Sequence, residues 1–249
     1  MPLSEVETVM GIGTLINTVG VIIGGVVGML FGNLLKEKYR DALRMAIGIC
    51  VLFLGISGVM EQLLKSGEGI SAAGRTMIMT GCMALGTLIG EIIDIEYGFE
   101  KFAEWLKKKS GNANDPQFVS AFLTATLTTC VGAMAIMGAV RDGLTGDWSL
   151  LATKTLLDFV TIMIMTSSMG KGCIFCAIPI FVYQGVLTLF ASLIRPVFTP
   201  LAMDYLSLVG SVLIFCIGFN MIWDKKIRIA NMLPAVVLAV FSAFLPFSF

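Results

Sequence analysis

The chain has 249 residues, 57% of them hydrophobic and 14% charged, with 17 basic side chains against 17 acidic ones and no histidine. A mean hydropathy of +0.91 is the composition of a membrane protein, and no polar stretch is long enough for a soluble catalytic domain. Zero net charge gives no footprint for a nucleic-acid partner, and the missing His removes the commonest zinc ligand and general base.

The start, MPLSEVETVM, carries Glu5 and Glu7 without Lys or Arg, so no secretory signal is read there. About 20 apolar residues span a bilayer as a helix, and eight such segments predict an all-α polytopic fold, one transmembrane domain over 1–249. The spans are expected at 11–35, 43–63, 74–93, 116–139, 149–169, 172–194, 204–223 and 229–247. The first places Gly20, Gly24, Gly28 and Gly32 at four-residue spacing, a face that lets another span or another subunit approach closely. Between the third and fourth spans, IEYGFEKFAEWLKKK interleaves aromatics with charges. It predicts an amphipathic helix over 95–109, lying on the membrane face. The turn Met169-Gly170-Lys171-Gly172 divides the fifth span from the sixth.

Lys154 and Asp158 lie one turn apart in the fifth span, with Asp158 about 13 Å from its outer edge by helical rise. An Asp at that depth costs about 2.5–3.5 kcal/mol even on lenient scales. Two readings stand: a self-neutralising structural pair, or a mark of an ion or substrate path. Thr161 extends the same face. In the fourth span Ser120, Thr124 and Thr128 recur one turn apart, a row of oxygens suited to hard cations or bonded back to their own helix. Asn17 continues the glycine face. Gln184 is a mid-span amide after Pro179, which is expected to free a helix carbonyl. Glu91 and Asp94 sit at the inner end of the third span, either collecting cations or marking the headgroup boundary. Asn231 reads as a helix-start residue.

All six Cys fall in apolar stretches and are expected to pack as small hydrophobes, including Cys173 and Cys176 of a C-x-x-C. No metal site or cofactor is expected. Grouping alternate loops puts twelve basic residues on one side (Lys36, Lys38, Arg40, Arg44, Lys101, Lys107, Lys108, Lys109, Lys171, Lys225, Lys226 and Arg228). The other side has four, Lys65, Arg75, Arg141 and Arg195, so the rich side is expected inside and both termini outside. A loose likeness between 28–60 and 187–222 pairs spans one and two with six and seven; that odd offset implies inverted repeats.

GTLINTVGVIIGG (Gly13–Gly25), GTLIGEIIDIE (Gly86–Glu96), the run Cys130–Asp158, AIPIFVYQG (Ala177–Gly185) and KIRIANMLPA (Lys226–Ala235) resemble the YqgA/YdfK-like bacterial integral membrane proteins, a family defined by a domain of unknown function. The resemblance implies a multi-pass bacterial inner-membrane protein and no substrate. It sets Asn17, Glu91, Asp142, Lys154, Asp158, Gln184 and Asn231 inside family-like segments. The functional expectation is a transporter or channel for a small cation or a cation-coupled small solute. The alternative is a scaffold, a homo-oligomer such as a dimer joined through the glycine face. With no H-E-x-x-H and no G-x-S-x-G, an enzyme is not expected.

Overall fold

The computed structural model describes residues 10–65, 71–223 and 227–245. The start read for a signal, the basic pair Lys225–Lys226 and the last residues of the eighth expected span lie outside the described residues. Among the described residues the secondary structure is all helical. The chain runs through α1 (Ile12–Leu34), α2 (Glu37–Leu64), α3 (Ala72–Ile93), α4 (Ile95–Lys109), α5 (Phe118–Cys130), α6 (Ala133–Thr145) and α7 (Ser149–Met169). It continues through α8 (Ala177–Leu189), α9 (Ala191–Ile194), α10 (Pro200–Ile222) and α11 (Pro234–Ser242), with 3-10 turns at Lys171–Cys176 and Ile229–Met232.

Six of these segments are long and apolar enough to cross a membrane, counting the 3-10 turn with α8. The fourth expected span is two helices bent by 62° and qualifies only as a pair. The eighth is a short apolar helix behind a 3-10 turn. Local chemistry explains the interruptions. The Thr128 and Thr129 hydroxyls bond back to carbonyls of their own helix, and an extended Val131–Gly132 follows them. Gly170 sits at φ 100°, a conformation that favours glycine and stops α7. Pro179 falls in the first turn of α8, where helix N–H groups have no intrahelical partner; it frees no mid-helix carbonyl, contrary to the sequence expectation. Thr199 caps α10 by accepting from the Ala202 N–H at 3.2 Å.

Two helix pairs form the frame. Gly20, Gly24, Gly28 and Gly32 of α1 lie against Thr155, Phe159, Met163 and Ser167 of α7 in the same order, so the helices run parallel. In α2, Gly48, Gly55 and Gly58 meet Ile222, Phe215 and Ser211 of α10 in reverse order, so those helices are antiparallel. Gly86 and Gly90 likewise seat α3 on Ala235 and Asn231. α1 and α8 also run antiparallel, Thr14 and Asn17 meeting Thr188 and Gln184 in reverse order. The largest apolar core joins Val21, Val51, Ala125, Ile162, Met165, Ile180, Leu213 and Ile217 from six helices.

α5 begins beside Gly172 and α6 ends beside Gly13, near the start of α7, so the bent pair runs from one end of the bundle to the other. α4 rests on α5 through Ala103, Leu106, Phe118 and Phe122, with Tyr97 and Trp105 exposed. Its bounds match the interfacial helix expected at 95–109.

Because Gly24, Gly28 and Gly32 of α1 meet the backbone of α7, a side chain there must push α7 away. A Cβ on Gly24 would stand 2.5 Å from the Phe159 carbonyl oxygen, whereas one on Gly81 meets nothing within 4 Å. Overpacking costs about 1–3 kcal/mol, and each kcal/mol moves the Tm of a chain this size by about 2–4 °C. Gly24→Leu is expected to lower the Tm in detergent by several degrees or abolish folding, with Gly81→Ala near wild type.

Candidate functional site

α7 presents three faces. Thr155, Phe159 and Met163 meet α1; Leu156, Leu157 and Val160 are exposed; Lys154 and Asp158 point into the bundle and are 6% and 8% exposed. The Lys154 ammonium donates to Asp158 Oδ2 in an i,i+4 ion pair. Asp158 is the tenth of 21 helix residues, which puts the pair at mid-height. Cys130 at the end of α5 and Cys176 at the end of the 3-10 turn before α8 are close enough to feel both charges. The pair therefore lies near the end of α5, where that helix breaks from α6. There the last carbonyls of α5 and the first N–H groups of α6 lack intrahelical partners.

Thr161 is half-buried on the same helix. Of the hydroxyl row expected on α5, Ser120 is exposed and bonds the Gln117 carbonyl, and Thr128 is half-buried and bonds the Thr124 carbonyl. Thr124 is half-buried. The buried threonines of α5 are Thr126 and Thr129; the Thr129 hydroxyl donates to its own helix, and the Thr126 hydroxyl is buried without a partner. The alternation of Thr and apolar residues hid this, because both faces carry threonine.

Asn17 and Gln184 meet across α1 and α8, amide to amide at 3.2 Å. Above them Thr14 and Thr188 pair their hydroxyls at 3.2 Å. Asp142, fully buried, accepts from the Gly13 N–H at 3.0 Å and the Thr14 N–H at 3.4 Å, capping α1 from α6. Only the family resemblance marked Asp142 in the sequence.

Glu91 does not reach this interior. It pairs with Arg228 at 2.7 Å on the exposed surface, where Asp94 also binds Arg228. Nearby, Asn231 is fully buried in a 3-10 turn, and its Oδ1 accepts from the Glu96 N–H at 2.7 Å, holding the α3–α4 corner. Burial pushes the Glu96 carboxyl above its ordinary range, against the Ala230 N–H and Arg228. At the opposite end, the Ser149 hydroxyl and N–H hold the exposed Asp147 carboxyl below its usual range.

Sequence reasoning missed one buried cation. Arg75, counted as a loop residue, is 2% exposed between α2, α3 and α10, with Nη1 donating to the Gln62 carbonyl at 3.2 Å and 3.8 Å from Asp204. A cavity of about 490 Å³ opens at the Gly170 end, where Arg40, Asp115, Lys171 and the buried Thr166 line it. Gly20, Gly24, Gly28 and Gly32 are covered by α7 within the chain, so the face proposed for a partner subunit is occupied.

Interrupted helices around a buried ion pair define a polytopic α-helical membrane protein with a polar interior. The chain belongs to the family described as protein of unknown function (DUF554), matched over residues 12–244. It is similar to the uncharacterized membrane protein YdfK of Bacillus subtilis (strain 168), 30% identical over 226 residues, 91% of this chain and 93% of that one. It is also similar to the uncharacterized protein YqgA of Escherichia coli (strain K12), 32% identical over 235 residues, covering 93% and 95%. No solved structure matches.

Removing one member of a buried pair strands the other charge, at about 3–5 kcal/mol. Lys154→Met is therefore expected to lower the Tm further than the double variant Lys154→Met/Asp158→Leu. Equal losses in a thermal unfolding assay would show that the two charges do not support one another.

Proposed function

We propose that the protein is a transporter or channel of the bacterial inner membrane for a small cation, or for a small solute coupled to one, with Lys154 and Asp158 on the path. The observation that carries this reading is the buried pair at mid-height, near the end of α5 where the bent pair breaks. Broken helices at that depth supply carbonyl oxygens to cations in many membrane folds. A leucine pair would pack there without the cost of burying two charges, which favours a use for them.

In the empty state Lys154 neutralises Asp158. An arriving cation competes for the Asp158 carboxylate and loosens the pair, while Thr126 and Thr129 offer hydroxyl oxygens from α5. The cavity beside Gly170 is the approach from the basic end. That end carries Lys36, Arg40, Lys107, Lys108, Lys109 and Lys171 in its loops and short helix, which favours a cytoplasmic placement and both termini outside. A phosphatase fused after Phe249 is then expected to be active in cells, and a fluorescent protein fused there dark.

Reconstituted protein on a solid-supported membrane is expected to give a current under a H⁺, Na⁺ or K⁺ gradient. Asp158→Asn should abolish it at unchanged protein level. A current that survives Asp158→Asn removes Asp158 from the path.

A further inference from the structure

We propose that Asp142, Thr14, Asn17, Gln184 and Thr188 hold a small monovalent cation in the seam between α1, α6 and α8, at the opposite end of the bundle from Gly170. Capping accounts for only half of the Asp142 carboxylate. Its Oδ2 takes the N–H groups of Gly13 and Thr14, while its Oδ1 is buried with no hydrogen-bond partner. Among the described residues, no Lys or Arg pairs with it. A carboxylate so placed needs a counter-charge.

The neighbouring groups offer oxygen. Asn17 is fully buried, gives its Nδ2 to Gln184, and keeps a buried Oδ1 without a partner. Asn17 lies one turn from Gly13 on α1, in the seam that Gln184 and Thr188 close from α8. The Thr188 hydroxyl donates to the Ala139 carbonyl at 3.2 Å, so the Thr14 hydroxyl is the donor in the Thr14–Thr188 bond and keeps its own lone pairs. Hard oxygens with a single carboxylate match a small monovalent ion; a divalent ion calls for more negative charge. A proton would satisfy Asp142 and leave the Asn17 oxygen unexplained. A cavity of about 610 Å³ that reaches Thr14 and Thr188 gives access from the surface.

This inference goes beyond the transport reading and is read out by binding alone. Silence in the current measurement leaves it standing, and its failure leaves Asp158 on the proposed path. The test is the Tm of purified full-length protein, followed by tryptophan fluorescence, as choline chloride is replaced at constant ionic strength by NaCl, LiCl or KCl. A ligand that binds only the folded state raises Tm in a saturable way. The expected result is a rise of several degrees with at least one of these ions over choline. Asp142→Asn, which keeps an oxygen for the Gly13 N–H, is expected to lose that rise, and Asp147→Asn to retain it. Should Asp142→Asn fail to fold, Thr188→Val is expected to weaken the response at least tenfold in ion concentration. Equal Tm values in all four salts, or a rise undiminished in the folded Asp142→Asn or Thr188→Val protein, would overturn the site.

Discussion

The approach of α1 to α7 fixes what α7 can do with its charges. Between helices in lipid there is no hydrophobic drive, so association depends on close van der Waals packing. Four glycines bring the backbone of α1 onto Thr155, Phe159, Met163 and Ser167. That contact sets the rotation of α7 about its own axis. Leu156 and Leu157 are left outward, 71% and 58% exposed, and Lys154 and Asp158 are turned into the bundle. The glycine pattern in one helix thus decides the position of a carboxylate in another.

The ionic groups then differ in meaning because they differ in exposure. Arg228 with Glu91 and Asp94 is open to solvent, and water and salt screen such pairs until they contribute little. They tie the α3–α4 corner to the turn before α11 and give little reason to think of function. Arg75 is buried but close to the end of the bundle. It shares Asp204 with Lys65, whose ammonium is half in solvent. Lys154–Asp158 has neither solvent nor a surface partner, and it adjoins a helix break. Depth and neighbours, more than charge itself, separate a fastening from a candidate path.

The sequence shows clearly those features that depend on periodicity. Apolar length marked α1, α3 and α7 to within two residues at each end, and the aromatic–charge interleaving marked α4. The spacing of Lys154 and Asp158 was enough to place them on one face. Other features depend on the third dimension. A run of 24 residues at 116–139 reads as one span, because the break at Val131–Gly132 is apolar and changes direction without changing hydropathy. The rotation of α5 was illegible because threonines recur on both of its faces. Asp142 caps a helix 129 positions away in sequence, and no local pattern announces such a contact. Arg75 looked like a loop cation because burial by α2 and α10 leaves no trace near residue 75.

The frame and the interruptions divide the labour of any conformational change. In α1–α7 and α2–α10, glycines sit against backbone atoms of the facing helix, and helices in such contact have little room to slide. Rearrangement around Lys154–Asp158 must then be taken up where the ladder of helical hydrogen bonds is already broken. Those places are Val131–Gly132, the 3-10 turn Lys171–Cys176 behind the left-handed Gly170, and the turn Ile229–Met232. Two of the three bracket the buried pair through α5 and α8, and the third leads into α11, which packs on both α3 and α10. A bundle built for stability alone gains nothing from interrupting helices at the depth where it also buries a Lys and an Asp. The interruptions lie outside the glycine contacts of α1–α7 and α2–α10, so the frame is continuous past each of them.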